Sequence, residues 1–244
     1  MATRLLLEIA ANSVESALAA QAGGADRVEL CENLGEGGTT PSPGTLAVAR
    51  ERLRIPLYVL VRPRGGDFVY SPVEREAMLR DVEHCARLGC DGVVIGALDA
   101  HGGIDMALCR ALAAAAGRMG LTFHRAFDCV ADRAVALEDV AGLGCERILT
   151  SGGADDALRG AAAIAADIAR AGDRLALMAG AGITPDNIAA VVRASGAGEA
   201  HASARALQAG IGRAGPAGLE RGYWRTSEAL VRRLRAALDG AAQA

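Results

Sequence analysis

The chain contains no lysine: all 26 of its basic residues are arginine. Without a lysine amine no lysine Schiff base can form, which excludes that type of aldolase mechanism and any pyridoxal-phosphate lysine. Aromatic residues make up only 3% of the 244 residues, and no basic run is interleaved with them. With a formal net charge of −3, that argues against nucleic-acid binding, which needs a cationic surface and stacking platforms. No apolar run is long enough to cross a bilayer. The opening MATRLLLEIAANS carries one positive charge and a short apolar stretch interrupted by Glu8, which reads as a first strand rather than a signal peptide. The six cysteines (Cys31, Cys85, Cys90, Cys109, Cys129 and Cys145) form no C-x-x-C pair and no disulfide framework. Reduced thiols in a cytoplasmic protein are the expectation.

What the chain does have is alternation. Short β-rich segments at 4–9, 26–31, 56–63, 91–98, 121–127, 146–152, 174–180 and 199–205 are separated by alanine-rich helical segments. Helices start at Asn12-Ser13 and Ser71-Pro72, where a side-chain oxygen or a proline suits the first turn. Glycines at 23, 89, 120 and 144 read as helix C-caps. Eight strand signals alternating with helices predict a parallel sheet, and eight βα units in a chain 51% hydrophobic predict one TIM (β/α)8 barrel, an α/β fold, as a single domain over 1–244. A doubly wound open sheet would show a glycine fingerprint after its first strand, and none follows Ile9. Beyond Arg205, the stretch ALQAGIGRAGPAGLERGYW reads as a loop. TSEALVRRLRAAL then gives an amphipathic terminal helix with Leu230, Leu234 and Leu238 on one face.

Active sites of TIM barrels lie at the C-terminal ends of the strands. There this chain carries Glu8; Glu29 and Cys31; Arg62, Arg64 and Asp67; His124, Arg125 and Asp128; Ser151; Gly180 and Gly182; and His201 with Ser203. A carboxylate inside an apolar run is costly to bury unless it is paired, so Glu8 and Glu29 are expected to meet the histidines and arginines at one mouth. Glu8, Glu29, His124 and His201 are the candidate acid/base residues. Arg62, Arg64, Asp67, Arg125, Asp128, Ser151, Gly180, Gly182 and Ser203 are the candidate substrate- or anion-binding residues. The run GAGIT followed by HASAR has the form of a phosphate cradle after strands 7 and 8, to which SGG at 151–153 could add N–H groups. Glu8, Glu29, His124 and His201 could alternatively hold zinc or manganese. Cys31, helped by Cys129 and Met178, is the candidate copper ligand, because copper(I) prefers thiolate and thioether sulfur.

The segments VELCENLGEGGTTPS, VRPRGGDFVYS, GALDAHGGID, FHRAFD, RILTSGG and GAGIT…EAHASAR resemble the successive motifs of the CutC family over residues 4–205. The resemblance implies a TIM barrel, a cytoplasmic location, a homo-oligomer (commonly a dimer), and a role in copper homeostasis and copper binding. It also implies a shared mouth formed by Glu8, Glu29, Cys31, Arg62, Arg64, Asp67, His124, Arg125, Asp128, Ser151, His201 and Ser203. Read from the residues alone, the same mouth is an acid/base site for a small anionic substrate, phosphate- or carboxylate-bearing, and both readings stand at this stage. Neither involves a nucleic acid or a membrane.

Overall fold

The computed structural model describes residues 4–213, 215–216 and 221–242. Eight strands, β1 (Leu6–Ala11), β2 (Arg27–Leu30), β3 (Leu57–Leu60), β4 (Gly92–Ile95), β5 (Gly120–Phe123), β6 (Arg147–Thr150), β7 (Ala176–Gly180) and β8 (Glu199–Ala202), pair in parallel in sequence order. β8 returns to β1, with Glu8 level with His201, so the sheet closes into a barrel. Between the strands run α1 (Val14–Ala22), α2 (Pro43–Arg52), α3 (Pro72–Leu88), α4 (Met106–Ala116), α5 (Arg133–Gly142), α6 (Ala161–Ala171) and α7 (Ile188–Ser195). This is the α/β TIM barrel expected from the alternation.

The strands' two-residue period explains the layering. Leu7, Ile9, Val28, Leu30, Leu57, Val59, Val93, Ile95, Phe123 and Ile148 are fully buried in the apolar core between sheet and helices. The alternate residues face the barrel interior, which leaves Glu8, Arg27, Glu29, Arg147, Glu199 and His201 on the inside. Serine caps set the helix starts. Ser13 accepts from Ser16 N–H, and Ser71 forms a reciprocal capping box with Glu74.

Two expectations need correction. Gly120 is the first residue of β5, and α4 is closed by Gly117, whose φ of 61° no L side chain adopts readily. The segment after Arg205 is not simply a loop. β9 (Arg205–Gln208) and β10 (Tyr223–Thr226) pair antiparallel, Trp224 level with Leu207, although residues 214 and 217–220 of the predicted loop lie outside the described residues. The hairpin is tied to the barrel by Asn12 Nδ2, which donates to Trp224 O at 2.9 Å, and by Thr226 N, which donates to Ser16 Oγ at 3.1 Å. The terminal helix α8 (Glu228–Ala241) buries Leu234 and Leu238 as expected, but Val231 rather than Leu230. Its Arg235 reaches Asp26 at 2.8 Å and Leu5 O at 3.0 Å. Among the described residues no helix is long and apolar enough to cross a membrane.

Candidate active site

The lower half of the barrel interior is ionic where most such barrels are aliphatic. Arg27 Nε donates to Glu8, and its Nη2 donates to Glu199 at 2.5 Å and lies 3.4 Å from Met178 Sδ. Arg147 Nε reaches the same Glu199 oxygen at 3.1 Å, and its Nη1 donates to Thr122 and Glu146, both at 3.0 Å. Tyr58 donates to Glu146 at 2.6 Å, and the two guanidinium groups lie 5.2 and 5.1 Å from its ring centroid. Gly92 and Gly120 make room for that ring: a Cβ on either would come within 2.2 and 2.0 Å of Tyr58 atoms. Each buried charge here meets an opposite one, which is the condition for burying it at all.

Above this floor the pairing stops. His201 Nδ1 is 2.8 Å from Glu8 Oε1, and its Nε2 is 3.7 Å from Glu29 Oε2. The two glutamates respond differently. Burial raises the Glu8 carboxyl, but Arg27 and His201 outweigh it and hold the group at about 2. Burial raises Glu29 too; His201 opposes it only in part, and the Glu8 charge adds to it, so Glu29 sits at about 7. Burial disfavours charge on His201, but Glu29 and Glu8 together raise it above an ordinary histidine. Glu8 thus fixes the imidazole, and Glu29 is left without a hydrogen bond among the described residues, able to gain or lose a proton near neutrality.

These groups open into a cavity of about 560 Å³. His124 lies on its wall. Its Nδ1 accepts from Ala126 N–H at 3.1 Å, so in the neutral ring the proton sits on Nε2, which is buried without a partner among the described residues. Burial, and then Arg62, push this histidine down to about 3, so it stays neutral. The ring lies over Gly96, where a Cβ would come within 2.4 Å of it. Arg62, 5% exposed, gives its terminal nitrogens to Glu36 O, Gly38 O and Gly66 O at 2.7–3.0 Å. It has no carboxylate partner among the described residues, and its buried Nε has no acceptor. Arg205, 5.2 Å from the Trp224 ring centroid, borders the same cavity, also without an ion-pair partner among the described residues. Opposite lies the turn after β7, with Ala181 and Gly182 at φ 91° and 65°. The N–H groups of Gly182 and Ile183 have no acceptor among the described residues.

Of the residues expected at the mouth, Glu29, Arg62, His124, Arg125, Gly182, His201 and Ser203 line this cavity, and Glu8 lies beneath it. Others are drawn elsewhere. Arg64 and Asp67 pair with each other at 3.1 Å on an exposed loop, where Arg64 also holds Glu74. Asp128 accepts from the N–H groups of Ser151 and Gly153 and from the Ser151 and Thr150 hydroxyls, and it pairs with Arg125 at 2.8 Å. The SGG amides are therefore occupied within the chain, those of Ser151 and Gly153 by the Asp128 carboxylate and that of Gly152 by the Thr150 hydroxyl at 2.9 Å, and offer no anion cradle. Gly180 is a packing glycine, with Leu149 2.5 Å from where its Cβ would be. Cys31 lies beside the cavity rather than on its rim. It is fully buried with Tyr58, Leu60 and Val94, its thiol donates to Ala11 O at 3.7 Å, and burial with the neighbouring Glu29 holds it well above an ordinary thiol.

Copper(I) needs a thiolate or thioether donor set, and these residues do not fit it. The Cys31 thiol is protonated and enclosed, the Met178 sulfur faces the Arg27 guanidinium, and Cys129 is exposed elsewhere. The zinc or manganese set does not assemble either: Glu8 is spent on Arg27 and His201. Among the described residues no three His, Cys, Asp or Glu side chains are gathered to hold a metal. Sequence reasoning missed Arg27, Arg147 and Glu199. The strand period would have found them, since Arg27 stands two residues before Glu29 and Glu199 two before His201.

The fold and the cavity define a TIM-barrel protein with a polar pocket at the C-terminal mouth. Residues 5–206 match the model of the CutC family, and the chain belongs to that family. A CutC family protein of Xylella fastidiosa (strain 9a5c) is 61% identical over 203 residues, 83% of this chain and 76% of the relative. One from Chromobacterium violaceum is 53% identical over 244 residues, covering 97% and 99%. The crystal structure of CutC from Streptococcus agalactiae, described as a candidate copper homeostasis protein, is 32% identical with a TM-score of 0.78. It covers 82% of this chain and 98% of that one.

Proposed function

We propose that this CutC-family protein is an enzyme that acts by acid/base chemistry on a small anionic substrate, phosphate- or carboxylate-bearing, at the barrel mouth. The observation that carries this reading is the Glu29–His201 pair: a carboxyl at about 7 with no hydrogen bond among the described residues, 3.7 Å from an imidazole nitrogen on the wall of an open cavity. A general base works best with its pKa near the operating pH. Glu29 is the base, His201 the acid, and Glu8 the positioning residue that fixes the imidazole. The anionic character of the substrate is supported by Arg62 and Arg205, two cations without carboxylate partners, and by the free N–H groups at Gly182 and Ile183. The Streptococcus agalactiae relative's name points to copper homeostasis, but the sulfur donors of this chain do not support a copper(I) site.

Thermal shift and calorimetric titration with inorganic phosphate and a panel of small phosphate and carboxylate metabolites at constant ionic strength test the reading. At least one anion should raise Tm by several degrees, and Arg62→Met and Arg205→Met should abolish the shift. Failure of every anion, with tight stoichiometric copper(I) binding lost only in Cys31→Ser, would replace the proposal with the copper reading.

A further inference from the structure

A second cavity, of about 540 Å³, adjoins the mouth, and the acid/base pair does not use it. Leu34 and Arg205 line both spaces, so the two meet at that boundary. The second space is otherwise walled by Asn12 after β1, by Glu32 and Asn33 after β2, and by Trp224 on β10. Its polar groups are held in place by the chain itself. Glu32 Oε1 accepts from Ser42 N–H at 3.1 Å and from the Thr45 hydroxyl at 3.3 Å, and Oε2 is left without a partner among the described residues. Asn33 Nδ2 donates to Thr39 Oγ1 at 2.8 Å, which leaves Oδ1 free as an acceptor among the described residues. Asn12 Nδ2 donates to Trp224 O and so fixes the strand that carries the indole. The indole is half exposed, and its N–H has no acceptor among the described residues. Groups fixed in this way lose little freedom when a ligand arrives.

We infer that this second cavity is the subsite for a sugar or polyol portion of the substrate, joined to an anionic group that Arg205 meets at the boundary. This rests on the anionic-substrate reading and names the rest of the molecule. Two free acceptor oxygens, Glu32 Oε2 and Asn33 Oδ1, call for a ligand rich in donors, and a hydroxyl that donates to a carboxylate makes one of the stronger hydrogen bonds. The indole N–H complements a ring or hydroxyl oxygen, and the indole body offers apolar area to the C–H groups between them. The charges narrow the choice further. A second anion would meet Glu32, and a free ammonium would meet Arg205, whose guanidinium lies 5.2 Å from the indole centroid. Hydroxyl groups donate without carrying charge and suit both neighbours. Each space alone has the size of a small-molecule pocket, so the two together suit a substrate of two parts.

Trp224 is the single tryptophan of the chain, so its fluorescence reports on this cavity directly. The probes are ribose 5-phosphate beside inorganic phosphate and glucuronate beside acetate, with phosphoethanolamine as the amine counterpart. Calorimetry gives the affinities, and tryptophan emission gives the place of binding. At least one sugar should bind about tenfold or more tightly than its parent anion and shift the indole emission, and phosphoethanolamine should gain nothing over phosphate. Glu32→Gln keeps an oxygen for Ser42 N–H and turns a donor into the cavity in place of Oε2. It should lose most of the tenfold advantage, with the parent anion's affinity unchanged within about twofold. Trp224→Phe, which keeps a ring and loses the N–H, should weaken the sugar by about threefold or more. A sugar advantage that survives both substitutions overturns the subsite, as does an emission unchanged at saturation. Parent anions that bind as tightly as their sugars, or an amine that binds more tightly than either sugar, also overturn it and leave the anionic-substrate reading intact. Failure of every anion to bind removes that reading and the subsite together.

Discussion

Glu8 and Glu29 are the same side chain on adjacent strands of one barrel, both buried, both within reach of His201, and they end at opposite extremes. Glu8, over the closed floor, is hydrogen-bonded to Arg27 and His201 and held at about 2; Glu29, on the open cavity, meets only His201 at 3.7 Å, with no hydrogen bond to a cation among the described residues, and rises to about 7. Burial acts on both in the same direction, so the difference lies in the partner, not the depth. Carboxyls driven apart in this way can divide structural and chemical work between them. The lower half of the barrel satisfies every charge and leaves no room; the upper half leaves donors, a carboxyl and space.

The sharpest way to break that contrast is to remove the floor's cation. Arg27→Met strands Glu8 and weakens the hold on Glu199 in a buried site, and it should lower unfolding stability by about 3–5 kcal/mol in urea denaturation at pH 7. A loss under about 1 kcal/mol would mean that the ionic floor is not what holds Glu8 ionised.

The glutamates should also leave opposite signatures in pH. Glu29 has its folded pKa raised, so its stabilising contribution is full below the ordinary value of 4.5 and disappears as pH rises through about 7. Glu8 has its folded pKa lowered, so its contribution is full above 4.5 and disappears as pH falls toward 2. Glu29→Gln should therefore stabilise the protein by about 2–3 kcal/mol at pH 8 and make little difference at pH 4. In thermal melts this appears as a rise of several degrees at the higher pH alone. A stabilisation that persists at pH 4 would place the cause in packing rather than in the carboxyl's charge.

Much of this was legible before the fold was in view. Strand and helix alternation fixed the barrel, because the 2 and 3.6 residue periods are local properties and the glycine and serine punctuation between them is local too. The burial of Glu8 and Glu29 beside His201 was legible because charged residues inside apolar runs are conspicuous. Arg27 escaped that reading because the functional groups of a TIM barrel are expected at strand ends, while the floor is made two residues earlier on the same faces. Asp128 and Ser151 misled for the reverse reason. They do stand after their strands, but whether an N–H faces a ligand or a neighbouring carboxylate is decided across loops 23 residues apart, which no local pattern encodes. The β9–β10 pairing was hidden by glycine-rich composition, and Gly120 by its place between a helix and a strand, where Gly117 takes the cap instead.

The tightness of the floor can be tested with one methyl group. Gly92→Ala drives a Cβ to 2.2 Å from Tyr58 Cε1 and should destabilise by about 1–3 kcal/mol, because a close-packed interior cannot yield to it. Gly35→Ala, near the mouth, meets nothing within 4 Å and should stay within about 0.5 kcal/mol of wild type. Equal effects in chemical denaturation would remove the distinction between a filled half and an open one.

A smaller effect than the floor's falls on the boundary between the halves, at Cys31. Its thiol is fully buried against Leu60 and Val94, and its single polar contact is with Ala11 O, which a serine hydroxyl can also make. Cys31→Ser should therefore cost only about 1 kcal/mol, the smaller apolar contact being offset in part by a better hydrogen bond. In the folded wild type, iodoacetamide should modify exposed Cys129 and leave Cys31 unmodified, since only an accessible thiolate reacts. Rapid modification of Cys31, with oxalate or phosphate protecting it, would move the thiol onto the cavity wall beside Glu29. A proton acceptor near neutrality next to an accessible thiol could then generate a thiolate, and the pocket would have a nucleophile and a soft metal ligand. Slow modification unaffected by either anion keeps sulfur out of the chemistry and leaves the mouth to oxygen and nitrogen groups alone.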